Sequence, residues 1–224
     1  MDVLCVLTQK GGSGKTTIAT SMAVASQMAG RSSAIFDLDS QASACFWSDI
    51  RAASEPPVRD CMIARLPSYL EKIAAAGYDL AVLDCPPVNY DIAYSAASAA
   101  DYVLIPTRAD VLDVASMRKT LEVVQTVERP HSVVLNFCPP SGGEVPSAKR
   151  VLAQMGAKLC PVQLSYLKAF PRGQQTGQSA IETEPNSKAA QQLRDLYAFI
   201  LDELKATKGQ TNVEKETRPA RRSA

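Results

Sequence analysis

The chain has 224 residues, 46% of them hydrophobic, and a formal net charge of +1. This length can bury one sizeable core, and no apolar run approaches the roughly 20 residues needed to span a bilayer. Six scattered cysteines without a C-x-x-C pair argue against a disulfide framework or a zinc site. The first predicted strand begins next to the N-terminus, so we expect no signal peptide and a cytoplasmic protein.

Apolar runs alternate with helical periodicity, which predicts an α/β fold: a mostly parallel sheet with helices on both faces. In chain order, the predicted strands are residues 3–8, 33–37, 80–84, 102–106, 132–137 and, with the weakest pattern, 159–162. The predicted helices are residues 15–29, 114–128, 147–155 and 186–206. We expect one domain over residues 1–206, without internal repeats.

The polar stretch of residues 207–224 shows no apolar periodicity, which predicts a disordered tail. From Lys205 onward, six Lys or Arg and two Glu give a charge of +4, so the rest of the chain carries −3. A basic tail of this kind either contacts nucleic acid or only aids solubility, and the sequence does not separate the two.

A glycine-rich loop follows the first predicted strand. Residues 10–17 read Lys-Gly-Gly-Ser-Gly-Lys-Thr-Thr, and their end matches the phosphate-loop pattern G-x-x-x-x-G-K-[ST]. Glycines let backbone N–H groups approach phosphates, and the helix that starts here points its positive end at the same anion. The predicted nucleotide-binding residues are Gly11, Gly12, Ser13, Gly14, Lys15, Thr16 and Thr17. Lys15 is expected to contact the β- and γ-phosphates of ATP, and the Thr16 hydroxyl to bind Mg²⁺.

Two further strands end in acidic residues. Asp37 and Asp39 are two positions apart at the end of the second strand, so their side chains point the same way. Asp84 ends the apolar run Leu-Ala-Val-Leu, the usual form of a Walker B motif. We expect Asp37 and Asp39 to face Mg²⁺ and the attacking water, and Asp84 to hold a water bound to Mg²⁺.

Together, residues 10–17, 37–41, 84–87 and 106–113 resemble the ParA/MinD family of P-loop ATPases with a deviant Walker A motif. The likeness covers residues 1–204 and is greatest to small ParA-type partition ATPases. It implies an ATP-dependent homodimer that hydrolyses ATP slowly without a partner. It also implies that Lys10 reaches the partner subunit's nucleotide, that Asp39 orients the attacking water, and that Asn136 contacts the adenine. Ser40 stands where the family usually has proline.

The resemblance also implies a location and partners. ATP-bound dimers of the family bind double-stranded DNA nonspecifically through basic residues in the C-terminal third, which implies association with the nucleoid. A ParB-like adaptor protein is expected to stimulate ATP hydrolysis. The candidate DNA-contacting residues are Lys168, Arg172, Lys188 and Arg194.

The main functional prediction is segregation or positioning of plasmid or chromosomal DNA. One alternative is positioning of a protein cargo, such as a microcompartment or a chemoreceptor cluster; another is a conjugation accessory factor that uses ATP only for assembly. A MinD-like membrane switch needs an amphipathic C-terminal helix, and the sequence of residues 218–224 has no apolar face. A metal-cluster carrier of the same superfamily needs paired cysteines, which the sequence lacks.

Overall fold

In a computed structural model, which describes residues 1–87 and 89–217, the described strands form one parallel sheet. The strands are β1 (Asp2–Val6), β2 (Ser33–Asp37), β3 (Val58–Asp60), β4 (Leu80–Asp84), β5 (Tyr102–Arg108), β6 (His131–Cys138) and β7 (Leu159–Ser165). Their order across the sheet is β3-β2-β4-β1-β5-β6-β7. The strands that precede β5 in the chain therefore form one side of the sheet, and the strands from β5 onward form the other. Strand β1 lies next to β5, at the boundary between the two sides.

Helices connect the strands and cover both faces of the sheet. They are α1 (Lys15–Met28), α2 (Ser43–Asp49), α3 (Leu66–Ala75), α4 (Tyr90–Ala99), α5 (Val111–Thr126), α6 (Glu144–Gln154), α7 (Ala169–Gln175), α8 (Ala180–Thr183) and α9 (Lys188–Thr217). Within the described part of the chain, no helix is both long and apolar enough to cross a membrane.

The central strands are buried on both faces, which explains why they read as continuous apolar runs. Leu4 and Val6 of β1 belong to a core that includes α1 and α9. Val3 and Cys5, which point the other way, belong to a second core that includes α4, α5 and α6. The predicted fold class is confirmed, and β2 and β4 have the predicted bounds.

The last helix differs from its prediction. It continues to Thr217 rather than ending at Ala206, so residues 207–217, predicted as a disordered tail, are helical. The ammonium of Lys208 forms an ion pair with Asp2 at the start of β1, at a distance of 2.5 Å, which connects α9 at this position to the sheet. The division at residue 206 remains a prediction, and residues 218–224 lie outside the described residues.

Candidate nucleotide-binding site

The site lies at the carboxyl ends of the central strands. The strand order reverses at β1, which has β4 on one side and β5 on the other, and open parallel sheets bind ligands at such a switch point. Asp84 at the end of β4 is in register with Val6 of β1 and with Asp37 of β2. The fold thus brings the glycine-rich loop after β1 together with two of the predicted acidic residues.

The loop conformation depends on its glycines. Gly12 and Gly14 have φ angles of 70° and 90°, a region that other residues rarely adopt. A Cβ at Gly14 would also collide with the side-chain amide of Asn136. That amide donates a hydrogen bond of 2.8 Å to the carbonyl of Ser13. The Asn136 side chain therefore stabilises the loop conformation at Ser13. Its contact with adenine remains a prediction.

The Lys15 side chain is buried in the loop. The residue is 7% exposed, and its ammonium donates to the carbonyl of Lys10 at 3.3 Å. Burial lowers the pKa of Lys15, and the carboxylate of Asp84 acts in the opposite direction. A largely desolvated cation with one neutral carbonyl partner at 3.3 Å suits a loop that receives phosphate oxygens.

Thr16 and Asp84 form the polar pair expected next to a magnesium ion. The Thr16 hydroxyl donates a hydrogen bond of 2.7 Å to Asp84 Oδ2. Burial raises the pKa of Asp84 to about 7, although the hydrogen bond from Thr16 lowers it. Among the described residues, Asp84 Oδ1 finds no hydrogen-bond partner. A buried oxygen without a donor fits a Mg²⁺-bound water, so these two residues fit the predicted role.

The two aspartates after β2 are held differently. Asp37 is fully buried, and its carboxylate accepts hydrogen bonds from the backbone N–H groups of Asp39, Ala44 and Cys45 at 3.1, 2.8 and 3.1 Å. Burial raises the pKa of Asp37, although these donors lower it. Asp39 is half-buried and accepts one bond, from Gln41 N at 3.0 Å. Asp37 thus shapes this turn and the start of α2, while Asp39 is the more accessible of the two carboxylates.

The Lys10 side chain turns back onto its own subunit. Its ammonium lies 3.1 Å from Asp113 Oδ1, with 43% of the lysine side chain exposed and only 6% of the aspartate side chain. Asp113 lies in the first turn of α5, where its N–H donates to the capping side chain of Asp110. Asp113 lies within residues 106–113 but has no role among the sequence-based predictions, although the D-x-x-D spacing at a helix start is a signal for it.

Arg108, at the end of β5, was also missed. Its guanidinium donates two hydrogen bonds to the carbonyl of Gly12, at 2.7 and 3.2 Å, and lies 4.6 Å from the centre of the Phe137 ring. Phe137 has a φ angle of 53°, which is unusual for a residue other than glycine. Because β5 and β6 are neighbours, these two residues reach the loop from the side opposite Asp84.

A cavity of about 230 Å³ opens beside the first turn of α1. Its lining includes Thr17, Asn136, Phe137 and Tyr166. Lys168, predicted to contact DNA, lines the same cavity. The cavity has the position expected for the base of a nucleotide whose phosphates lie in the loop. A larger cleft of about 590 Å³ between α5 and α6 has a mainly apolar lining that does not include the loop.

The other candidate DNA contacts are on the surface near α7 and α9. Arg172 lies one helical turn after Lys168, because its N–H donates to the Lys168 carbonyl, and it pairs with Glu184 at 3.4 Å. Lys188 is exposed at the start of α9, and Arg194 donates to the carbonyl of Pro185 at 2.8 Å. Their role in DNA binding remains a prediction.

Comparison with known proteins identifies the family. A family profile described as the CobQ/CobB/MinD/ParA nucleotide binding domain matches residues 4–180, which include the loop, Asp84 and Asn136. The chain belongs to this family. The resemblance inferred from the motifs is therefore confirmed, and nucleotide binding is the property that the family description carries.

Relatives within the family differ in what they position. The maintenance of carboxysome distribution protein A of Gloeobacter kilaueensis is 32% identical over 207 residues, covering 90% of this chain and 93% of the relative. The chromosome-partitioning ATPase Soj of Thermus thermophilus is 28% identical over 187 residues, covering 69% of this chain and 75% of the relative. The first match extends over nearly the whole of both proteins.

Solved structures confirm the fold. Apo McdA of Cyanothece superposes with a TM-score of 0.73 at 19% identity, covering 91% of this chain and 99% of that one. MinD of Pyrococcus horikoshii, solved with Mg-ADP, also gives a TM-score of 0.73, at 18% identity, covering 88% and 94%. At this level of identity, the likeness establishes the architecture alone.

Proposed function

We propose that this protein is a ParA/MinD-type ATPase that binds Mg²⁺-ATP in the loop after β1 and uses its hydrolysis to position a protein assembly, of the microcompartment class, in the cell. The observation that carries the choice of cargo is the match to the carboxysome distribution protein, because it spans nearly the full length of both chains. This reverses the order of the sequence-based predictions, in which DNA was the main cargo and a protein assembly the alternative.

The site geometry supports the nucleotide part of the proposal. Lys15 and the N–H groups of the loop would hold the phosphates, and the cavity beside Thr17 would take the base. Thr16 and Asp84 would hold Mg²⁺, Thr16 directly and Asp84 through water; when bound, the ion would neutralise charge on the phosphate oxygens.

The chain's own residues suggest how hydrolysis would proceed. Asp39 is the accessible carboxylate at the end of β2 and would orient the attacking water. Lys10, released from Asp113, would reach the nucleotide of a second subunit and so link dimerisation to bound ATP. Slow turnover without a partner would let the ATP-bound dimer persist long enough to be recognised.

Nonspecific DNA remains part of the proposal, as the surface to which the ATP-bound dimer binds. The exposed cations Lys168, Arg172 and Lys188 support it, and salt-sensitive binding without base recognition is the expected form. Segregation of DNA itself is the second candidate, favoured by the likeness to the chromosome-partitioning ATPase Soj. Nucleoid association and an adaptor that stimulates hydrolysis belong to both candidates.

Deletion of the gene in its native cells separates the two cargoes. We expect the protein compartments, counted by electron tomography, to cluster or to be inherited unequally, while plasmid and chromosome retention stay normal. Reintroduction of the native chain should restore their spacing, and reintroduction of Lys15→Ala should not. Loss of DNA retention with normally spaced compartments would instead establish DNA as the cargo.

A further inference from the structure

Arg51, directly after α2, forms a buried joint with the turn between α7 and α8. Its guanidinium pairs with both carboxylate oxygens of Glu182, at 2.6 and 3.1 Å, and donates to the carbonyl of Gly177 at 2.7 Å. Only 5% of the arginine side chain is exposed. A paired, two-pronged contact between a guanidinium and a carboxylate fixes orientation as well as distance. The end of α2 and this turn are therefore held in one relative position.

Trp47 of α2 belongs to the same joint. Its ring is 2% exposed and lies 4.9 Å from the Arg51 guanidinium, and its indole N–H donates to the carbonyl of Gln178 at 3.3 Å. It is the only tryptophan in the sequence, so indole fluorescence reports on this position alone. We call Trp47, Arg51, Gly177 and Glu182 the α2 joint.

The backbones at the joint are in direct contact. Gly177 has a φ angle of 63°, and a Cβ built on it would lie 2.6 Å from the Cα and N atoms of Arg51. No side chain separates the two segments at this point, and a displacement of one is resisted by atoms of the other.

The opposite end of α2 is attached to the candidate site. Asp37 accepts hydrogen bonds from the N–H groups of Ala44 and Cys45 in the first turn of α2. The same carboxylate accepts the N–H of Asp39, so it holds both the turn that carries Asp39 and the start of the helix. Because α2 has only seven residues, a shift of this turn reaches Trp47 and Arg51 within two helical turns.

The segment beyond the joint is also tied to α1. Gln174 donates to the Thr20 hydroxyl at 3.2 Å, and the hydroxyls of Ser179 and Ser21 lie 3.1 Å apart. The α7–α8 segment thus contacts α1 by neutral hydrogen bonds and, through the buried ion pair of Arg51, the chain just after α2. It carries Arg172 at the surface.

We infer that Arg51 is a positioning residue through which the α2 joint couples the turn carrying Asp37 and Asp39 to the α7–α8 segment. The inference rests on the proposed binding of nucleotide in the loop after β1. A nucleotide that moves the Asp39 turn displaces α2 and, through Arg51 and Glu182, the segment that carries Arg172. Coupling of this kind is reciprocal, so a partner bound at α7–α8 changes the affinity for nucleotide by the same factor by which nucleotide changes the affinity for that partner.

Fluorescence of Trp47, which reports on α2, and amide hydrogen exchange of the α7–α8 segment test the coupling in the full chain. Emission is recorded with Mg²⁺ alone, with Mg²⁺-ADP and with a slowly hydrolysed ATP analogue, while equilibrium dialysis with labelled nucleotide measures affinity separately. In the native protein, we expect a different emission with the analogue than with ADP. Trp47 lies on the site's side of the Arg51–Glu182 contact, so Glu182→Gln should keep this difference in emission while both nucleotides still bind.

The backbone amides of the α7–α8 segment lie beyond the contact. Their hydrogen exchange should differ between the analogue and ADP in the native protein, and that difference should fall in Glu182→Gln. Arg51→Lys, which keeps the charge but not the two-pronged contact, should also reduce the difference in exchange.

A matched control separates coupling from general loosening. Glu203→Gln removes a carboxylate that is also 20% exposed and also 2.6 Å from its cation, Lys158, but joins α9 to the start of β7. This variant should respond as the native protein does. The double variant Arg51→Lys/Glu182→Gln should behave as either single variant, because the two residues act through one contact.

The outcomes are distinguishable. If neither nucleotide binds the native chain, the proposed function itself is wrong. If both bind and Trp47 emission is the same with each, or if Glu182→Gln retains the native difference in hydrogen exchange at α7–α8, the coupling is overturned. Should Arg51→Lys unfold, as thermal denaturation would show, Glu182→Gln and its control still decide the question.

Discussion

At the scale of single residues, the clearest prediction concerns the proposed role of Lys15 in nucleotide binding. Its ammonium is buried beside a carbonyl, and charge-assisted hydrogen bonds to phosphate oxygens would replace that weak contact. We expect Lys15→Ala to weaken ATP binding by about 2 to 3 kcal/mol, or roughly 30- to 150-fold, by isothermal titration calorimetry. Lys119→Ala, at an exposed lysine of α5, serves as the control and should leave affinity unchanged. Native affinity in Lys15→Ala would contradict the assignment of the loop.

Substitutions of Asp37 and Asp39 are expected to have different effects, although the two residues are only two positions apart. One should lower stability and the other should lower turnover. Asp39→Ala removes a half-exposed carboxylate with one backbone contact, so we expect ATP binding and folding to persist while turnover falls by about 10² or more. Asp37→Ala leaves three backbone donors without their acceptor, so we expect a loss of about 2 to 4 kcal/mol in unfolding free energy.

Phosphate-release assays and chemical denaturation of both variants check this contrast. Unchanged turnover in Asp39→Ala would move the catalytic role elsewhere, with Asp37 the first residue to consider. A fully stable Asp37→Ala would show that its hydrogen bonds to α2 matter less than the geometry indicates.

Residues whose position in the candidate site depends on the local sequence were predictable, and those whose position depends on strand order were not. Lys15 and Thr16 are recognisable because loop, strand and helix are contiguous. Arg108 and Asp113 meet Gly12 and Lys10 only because β5 is a neighbour of β1, which periodicity along the chain does not reveal. The support that Asn136 gives to Ser13 is hidden for the same reason.

At the scale of elements, the long apolar strands and the helices α1, α5, α6 and α9 were predicted, but the amphipathic helix α3 was not. The three-residue strand β3 was missed because it is a short edge strand with exposed charged side chains. Helix α4 was missed because small alanines, rather than a periodic stripe of large apolar residues, form its buried face. Helix α2 was missed because its start depends on the side chain of Asp37, outside the helix.

The extended end of α9 gives a prediction at this scale. Asp2 pairs with Lys208 of α9 and with Arg31, at 2.5 and 2.7 Å. Burial raises the pKa of Asp2, but its hydrogen bonds with Lys208 and Arg31 outweigh burial and hold it below its usual value. We expect Asp2→Asn to lower the unfolding free energy by about 1 to 2 kcal/mol at neutral pH, a figure reduced because Lys208 is half-exposed.

The sign of the pH dependence follows from the lowered pKa. The contribution of Asp2 is fully present above about pH 4, the pKa of an unfolded aspartate, and is lost as pH falls through the lower folded value. Denaturation curves of native protein and Asp2→Asn should therefore converge in acid. Asp202→Asn, at an exposed pair with Lys205 in the same helix, is the control and should change little. A constant gap between the native protein and Asp2→Asn down to low pH would exclude this ion pair as its cause.

At the scale of the whole molecule, the Lys10–Asp113 ion pair separates two states of the chain. In the single subunit, Lys10 is satisfied by Asp113, and its proposed role across a dimer requires that contact to break. The free energy of this contact then opposes dimerisation, and a nucleotide favours the dimer only by binding it more tightly than the monomer. An ATP analogue supplies the γ-phosphate that Lys10 would meet, and ADP does not.

Light scattering across a concentration series tests this balance. With Mg²⁺ and a slowly hydrolysed ATP analogue, we expect a dimer of the native chain, and with ADP a monomer. Lys10→Ala should stay monomeric with both. Asp113→Asn should dimerise at a concentration about five- to thirtyfold lower than the native chain, because one partly exposed ion pair breaks in each subunit and each contributes about 0.5 to 1 kcal/mol. Asp195→Asn, on the exposed side of α9, should match the native chain.

A dimer of Lys10→Ala as stable as the native one would show that Lys10 does not cross the interface. A higher concentration for Asp113→Asn would show that Asp113 favours the dimer rather than opposing it.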